Sequence, residues 1–268
     1  MDQNYQSWLP NIISIAEEAA KAILTVRESK SYQISSKSDH SPVTTADMQA
    51  HHIIEQGLRF LDPAIPCLSE EGEPVPFEVR TKWSRYWLVD PLDGTQDFIQ
   101  GGNEFVINIA LIENHIPVLG VICVPCRQEF YCAVRGGGAT LQTRHTSVSI
   151  NTQQAPRSPI RVVQSHNPLE QTDPLWQHLL LKLGACEIRL CSSALKICLV
   201  AKGEADIYPR FGPTCEWDIA AGQCLLEAAG GQLVDLAGQS LRYNLRSSLE
   251  NSGFYALATP ELARACCG

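Results

Sequence analysis

Positive charge is scarce in this chain: 21 Lys and Arg stand against 29 Asp and Glu, a formal net charge of −8. That balance disfavours a general nucleic-acid-binding role, although it leaves room for a small phosphorylated ligand neutralised by metal ions. Also missing is an apolar run long enough to span a membrane, because Ile12 to Val26 is interrupted by Glu17, Glu18 and Lys21. The opening residues, Met1-Asp2-Gln3-Asn4, lack the basic and apolar segments of a secretory leader. Without a leader, the eleven cysteines are expected to be reduced thiols in a cytoplasmic protein, with peripheral attachment at the inner membrane left open. Cys123-x-x-Cys126 has no second CxxC or CxxH partner and overlaps an apolar run, so buried or incidental thiols are expected rather than zinc. No histidine cluster stands out to favour zinc or copper, and neither internal repeats nor low-complexity segments are present.

What remains is ordinary for a globular protein: 44% hydrophobic and 19% charged residues in a 268-residue chain, enough for one large or two small domains. Ile12, Ile13, Ala16, Ala20, Ile23 and Leu24 recur at helical spacing, which predicts a helix over 8–27. Residues 29–43 are Ser-rich and polar, a loop or hairpin containing Lys37 and Asp39. Thr44-Thr45-Ala46-Asp47 resembles a capping box ahead of a second helix. Three strand-like runs, Phe105 to Ile112, Val118 to Val124 and Gln128 to Val134, have short connections and predict an antiparallel meander, ended by Gly136-Gly137-Gly138. Beyond a linker at 151–159, strands and helices alternate, as in an α/β unit. The expected division is an α+β half over 1–150 and an α/β half over 151–268.

One stretch organises the rest: Tyr86-Trp87-Leu88-Val89-Asp90-Pro91-Leu92-Asp93-Gly94-Thr95. It starts as a strand, is expected to break at Pro91, and turns at Gly94. Asp90 and Asp93 are thereby brought close, and two nearby anions repel unless a cation lies between them. The helical turn expected after Thr95 would aim its first N–H groups at an anion such as phosphate. Three further acidic positions stand out: Asp47 and Asp218 at helix starts, and Glu70 at the end of an extended run. Such hard oxygen donors suit Mg²⁺.

Four segments, in order across nearly the whole chain, closely resemble the Mg²⁺-dependent, lithium-sensitive phosphatases of the inositol monophosphatase superfamily. They are Ser41 to Asp47 (SPVTTAD), Leu68-Ser69-Glu70-Glu71, Trp87 to Thr95 (WLVDPLDGT) and Trp217 to Gly222 (WDIAAG). Within it, the chain looks most like 3'(2'),5'-bisphosphate nucleotidases of the CysQ type. Gln96-Asp97-Phe98-Ile99, Asn103-Glu104-Phe105 with Asn108 to Ile112, and above all Tyr208 to Thr214 (YPRFGPT) carry that likeness. The chain departs from the pattern where Gln96 and Asp97 replace Lys and Glu, Gly101-Gly102 replaces Arg-Asn, and Ser252 replaces the Pro of N-P-x-F.

The resemblance implies a layered α-β-α-β-α sandwich with the active site between the halves. Carried over by residue, Glu70, Asp90 and the Leu92 carbonyl hold one Mg²⁺, and Asp90, Asp93 and Asp218 a second, with Glu70 near a third, weaker ion. Thr95, oriented by Asp47, and Glu70 position the attacking water, while the Gly94 and Thr95 N–H groups meet phosphate. His166, Ser192, Lys196 and Arg210 are candidates for the nucleotide side; Lys196 either neutralises the second phosphate or is an ordinary solvated lysine. The implied activity is removal of the 3'-phosphate of 3'-phosphoadenosine 5'-phosphate. The runners-up are an inositol monophosphatase or broad sugar phosphatase and, outside the enzymes, a silent binding protein on the same fold.

Overall fold

The structure is a computed structural model and describes residues 5–30, 33–36, 42–155, 157–166 and 172–267. Lys37, Asp39 and Ser41 therefore lie outside the described residues. The first helix, α1 (Leu9–Ser29), follows a 3-10 turn at Tyr5–Trp8 and puts Ile12, Ala16, Ala19 and Ile23 on its buried face. Strands β1 (Ile34–Ser36) and β2 (Pro42–Thr44) pair antiparallel and lead into α2 (Thr45–Leu61), which lies against α1. Next come β3 (Cys67–Ser69), the single-turn α3 (Phe77–Arg80), β4 (Arg85–Asp93) and the short α4 (Thr95–Ile99).

The expected meander is present as β5 (Val106–Glu113), β6 (Ile116–Val124) and β7 (Glu129–Val134). It does not end at the glycines. Gly136 and Gly138 take left-handed φ values of 76° and 81° and turn the chain into β8 (Gly138–Gln142), which pairs with β9 (Ser147–Ile150). The sheet order is β3-β4-β5-β6-β7-β8-β9, parallel only between β3 and β4.

The second half supplies β10 (Ile160–Gln164), α5 (Pro174–Leu183), β11 (Cys186–Leu190), α6 (Leu195–Ala201), β12 (Ile207–Arg210), β13 (Thr214–Cys215) and α7 (Glu216–Ala228). It closes with β14 (Gln232–Asp235), β15 (Glu250–Asn251), β16 (Phe254–Leu257) and α8 (Pro260–Cys267). Its main sheet runs β11-β10-β12-β16-β14, mixed in direction, while β13 and β15 form a separate two-residue ribbon.

Strand alternation sets the layers. On β5, Ile107, Ile109 and Leu111 pack in the core with α1 and α2, whereas Val106, Ala110 and Ile112 pack with α6 and α7. On β16, Phe254 and Ala256 face that same middle helix layer, whereas Tyr255 and Leu257 join Trp176 of α5 and Leu262 of α8. The result is a layered α-β-α-β-α sandwich, as expected. Gly120 of β6 lets α7 lie directly on the sheet, since a Cβ there would sit 2.6 Å from the Ala221 carbonyl oxygen. All eleven cysteines are free, and Cys123 is fully buried, in keeping with incidental thiols. Among the described residues, no helix is long and apolar enough to cross a membrane.

Candidate active site

The exit of β4 builds the site. The strand does not break at Pro91; it continues to Asp93 through a bulge. Asp90 pairs with Asn108 and Asp93 with Val106, so β4 has one residue more than β5 over that interval. Pro91 is tolerated because β3, the partner on the other side, stops pairing at Val89 and asks for no N–H beyond it. Gly94 then takes φ +93°, and a Cβ there would sit 3.3 Å from the Phe105 Cα.

Four elements bring the carboxylates together. Glu70 leaves β3 with its N–H donating to the Val89 carbonyl at 3.0 Å, and its side chain reaches the Asp90 carboxyl. Asp90 accepts from the Leu92 N–H at 3.0 Å. Asp93 accepts from the Ala194 N–H at 2.6 Å and from Asn108 Nδ2 at 3.4 Å. Asp218 enters from α7 and accepts from the Cys215 N–H at 2.8 Å. Asp47 caps α2, accepting from the Thr44 N–H at 2.8 Å and the Thr44 hydroxyl at 2.6 Å through Oδ2. Its other oxygen, Oδ1, is 3.0 Å from Thr95 Oγ1, which is also 3.1 Å from the Leu92 carbonyl oxygen. One hydroxyl proton serves one acceptor at a time, and the carboxylate is the stronger.

Burial pushes the Asp90 and Asp218 carboxyls well above the ordinary carboxylate range, and their acidic neighbours push further: Glu70, Asp93 and Asp218 act on Asp90. Burial also raises Asp93, against the opposing field of Lys196, and raises Asp47 against its Thr44 and Thr95 hydrogen bonds. This is a poor arrangement for a protein without a cation and a good one for hard divalent ions. Every donor is oxygen, the charges converge, and Asn108 Oδ1 is buried with no protein partner among the described residues.

Beside the carboxylates opens a cavity of about 200 Å³, lined by Asp93, Asp218, Ser193, Lys196, Tyr208 and Arg210 among others. Lys196 is not a solvated surface lysine. It is 3% exposed, its Nζ donates to the Ser193 carbonyl at 2.8 Å and stands 5.0 Å from the centre of the Tyr208 ring. Arg210 donates to Ser165 Oγ at 3.2 Å and to the Pro213 carbonyl at 3.1 Å. Ser192 does not line the cavity; its N–H donates to Glu104 Oε2 at 2.9 Å, and Ser193 takes the wall instead. His166 lies outside the wall as well, half exposed, with Nε2 3.5 Å from the same Glu104 oxygen.

Sequence reasoning places Asn108, Glu104 and Tyr208 within matching runs but gives none of them a role at the site. Asn108 carries a signal, a lone amide in the apolar run Val106 to Ile112. Glu104 ties its loop to the 192–194 turn and so positions the Ala194 N–H that Asp93 uses. The departures at Asp97 and Gly102 have a joint explanation: the Asp97 carboxylate occupies the space a Gly102 side chain would need, and it accepts the Glu104 N–H at 2.8 Å. Another expectation is corrected. A histidine cluster does exist, because the helical winding of α2 brings His51, His52 and Glu55 together.

The inositol monophosphatase family matches residues 4–266. The 3'(2'),5'-bisphosphate nucleotidase CysQ of Salmonella typhimurium is 45% identical over 248 residues, covering 92% of this chain and 98% of that protein. The Buchnera aphidicola protein of the same name is 40% identical over 257 residues, 95% of each chain. Among solved structures, CysQ from Bacteroides thetaiotaomicron superposes with a TM-score of 0.82 at 36% identity, covering 96% of this chain and 99% of the other.

Proposed function

Because the chain belongs to the inositol monophosphatase family, a generally metal-dependent one, we propose that it is a 3'(2'),5'-bisphosphate nucleotidase. Its substrate on this reading is 3'-phosphoadenosine 5'-phosphate, hydrolysed to AMP and phosphate. The observation that carries the reading is the cavity with Lys196 and Arg210 opening directly beside Asp93 and Asp218. A substrate with one phosphate at the carboxylates and a second anion elsewhere needs such a neighbouring cationic wall.

The carboxylate set fits Mg²⁺, in two or three ions. Glu70, Asp90 and the Leu92 carbonyl would hold one, Asp90, Asp93 and Asp218 another, and Glu70 would help hold a third. When bound, such ions supply positive charge that acidifies water and offsets charge on the phosphoryl oxygens. The chain's own groups do the rest. Thr95 Oγ1 donates to Asp47 Oδ1, which leaves its lone pairs free to accept a proton from the attacking water. Asp47, fixed by Thr44 from the other side, holds the proton relay in place. Glu70 orients the water from across the site, and the Gly94 and Thr95 N–H groups meet the phosphate. Lys196 and Arg210 engage the second phosphate, and Tyr208 closes the wall behind Lys196.

The test is phosphate release from 3'-phosphoadenosine 5'-phosphate and from inositol 1-phosphate, each with Mg²⁺ and with a chelator. Mg²⁺-dependent release with clear preference for the nucleotide is expected. Preference for inositol 1-phosphate would overturn the substrate, and full activity in chelator would overturn the metal.

A further inference from the structure

The reaction leaves unused a cluster on α2, at the margin of its buried face. His51, His52 and Glu55 each offer one ligand-type atom, and those atoms lie within 4.8 Å of one another. His51 and Glu55 are one helical turn apart on the same face, with Nε2 and Oε2 separated by 3.9 Å. The rings of His51 and His52 have centroids 5.2 Å apart. His51 is buried, and the other two side chains are exposed, so the cluster is anchored on one side and open on the other.

The anchor is Ser69. Its Oγ lies 2.9 Å from His51 Nδ1. When Nδ1–H donates to that oxygen, the neutral ring presents the Nε2 lone pair toward Glu55, the arrangement by which an outer hydrogen bond orients a metal-ligating histidine. Burial lowers the His51 pKa against the raising charge of Glu55, with His52 lowering it further, and the net direction favours the neutral, ligating form.

We propose that His51, His52 and Glu55 form a second metal site, for a late first-row divalent ion such as Zn²⁺. Two imidazoles and one carboxylate suit such an ion and do not suit Mg²⁺, which prefers oxygen ligands. Three protein donors leave a fourth position for water or another ligand. Adjacent residues on a helix diverge, so His52 turns inward on binding, and its exposure permits that rotation. The site is chemically distinct from the carboxylates, yet Ser69 directly precedes Glu70, so an ion here ties α2 to the strand end that delivers Glu70.

The experiment is Zn²⁺ binding to the full chain in saturating Mg²⁺, by equilibrium dialysis and by X-ray absorption at the zinc edge. It compares the wild type with the His52→Ala/Glu55→Ala double variant, whose altered side chains are exposed and outside the reaction. The wild type is expected to bind one more Zn²⁺ than the variant, or to bind that ion about tenfold or more tightly. Its absorption should show nitrogen and oxygen ligands, and both proteins should keep equal Mg²⁺-supported phosphatase activity. Identical stoichiometry and affinity in the two proteins, or a sulfur ligand from one of the cysteines, would overturn the site.

Discussion

Lys196→Met keeps the stem and deletes the charge. In the folded protein, Nζ makes a 2.8 Å bond to the Ser193 carbonyl and a cation–π contact with Tyr208. The first contributes about 1.5–3 kcal/mol and the second about 0.5–2 kcal/mol. Both offset the cost of burying an ammonium, and Met removes cost and compensation together, so the fold should survive with a melting temperature near that of the wild type. Catalysis should not. A charge-assisted contact to the second phosphate is again about 1.5–3 kcal/mol, and 1.4 kcal/mol is about tenfold, so the contact amounts to roughly one to two orders of magnitude in kcat/KM. Lys196 has a second effect, since its field also holds the Asp93 pKa down. Losing that field makes the carboxylates more negative, which tightens cation binding for every substrate alike. The two effects separate in a ratio: kcat/KM for 3'-phosphoadenosine 5'-phosphate over kcat/KM for adenosine 3'-monophosphate, which lacks the second anion. The ratio should fall about tenfold or more, and the effect shared by both substrates should vanish at saturating Mg²⁺. An unchanged ratio would show that Lys196 acts only through Asp93 and would refute its assignment to the second phosphate.

Asp90→Asn removes one member of a buried, mutually repelling set, so metal-free protein should melt higher while turnover falls by orders of magnitude; near-normal turnover would sink the assignment. The same set fixes a pH dependence. A carboxyl whose folded pKa is raised contributes stability that is fully present below its unfolded pKa, about 3.9, and is lost as pH rises through the folded value. The melting-temperature advantage of Asp90→Asn over wild type, measured in chelator, should therefore widen from about pH 4 toward neutrality, and saturating Mg²⁺ should erase it; an advantage that shrinks with rising pH contradicts the reasoning. Thr95→Val should lower kcat by about 10²–10⁴-fold while Thr95→Ser retains most of it, and equal losses would remove the hydroxyl from the proton path. Gly94→Ala, forced to hold φ +93°, should destabilise by about 1–2 kcal/mol in denaturant titration, and a neutral result would mean the turn relaxes.

Much of the molecule is legible in its sequence because it depends on short-range chemistry. Apolar spacing marks α1, and the Thr44 to Asp47 run marks the start of α2, down to the capping bonds that the structure contains. What escapes depends on neighbours distant in sequence. Strands β8 and β9 leave Thr140 and Gln142 half-buried and Ser147 and Ser149 exposed, with little apolar signal, and the preceding glycines look like a terminator until β7 is seen beside them. Pro91 looks like a strand end because whether β3 needs its missing N–H is invisible in the sequence. The acidic residues can be picked out by type and motif, but the burial of Lys196 and the exclusion of Ser192 from the cavity follow from how the 192–196 turn seats against Glu104. His51, His52 and Glu55 escape notice because adjacent histidines draw attention to each other rather than to a carboxylate one turn further on.

Asp47 and Asp218 occupy the same position in their helices, third from the cap, each accepting the N–H of its own cap residue. The same carboxylates that start α2 and α7 are thus the ones the proposed reaction uses. A mutational scan scored for abundance and one scored for turnover should rank these two positions alike, whereas Thr95 should stand out only in the second. Such positions leave no route by which a lineage could first lose the chemistry and keep the fold unharmed. A retired copy of this enzyme would therefore be expected to carry its first inactivating changes at Thr95 or Asp93, with Asp47 and Asp218 still in place.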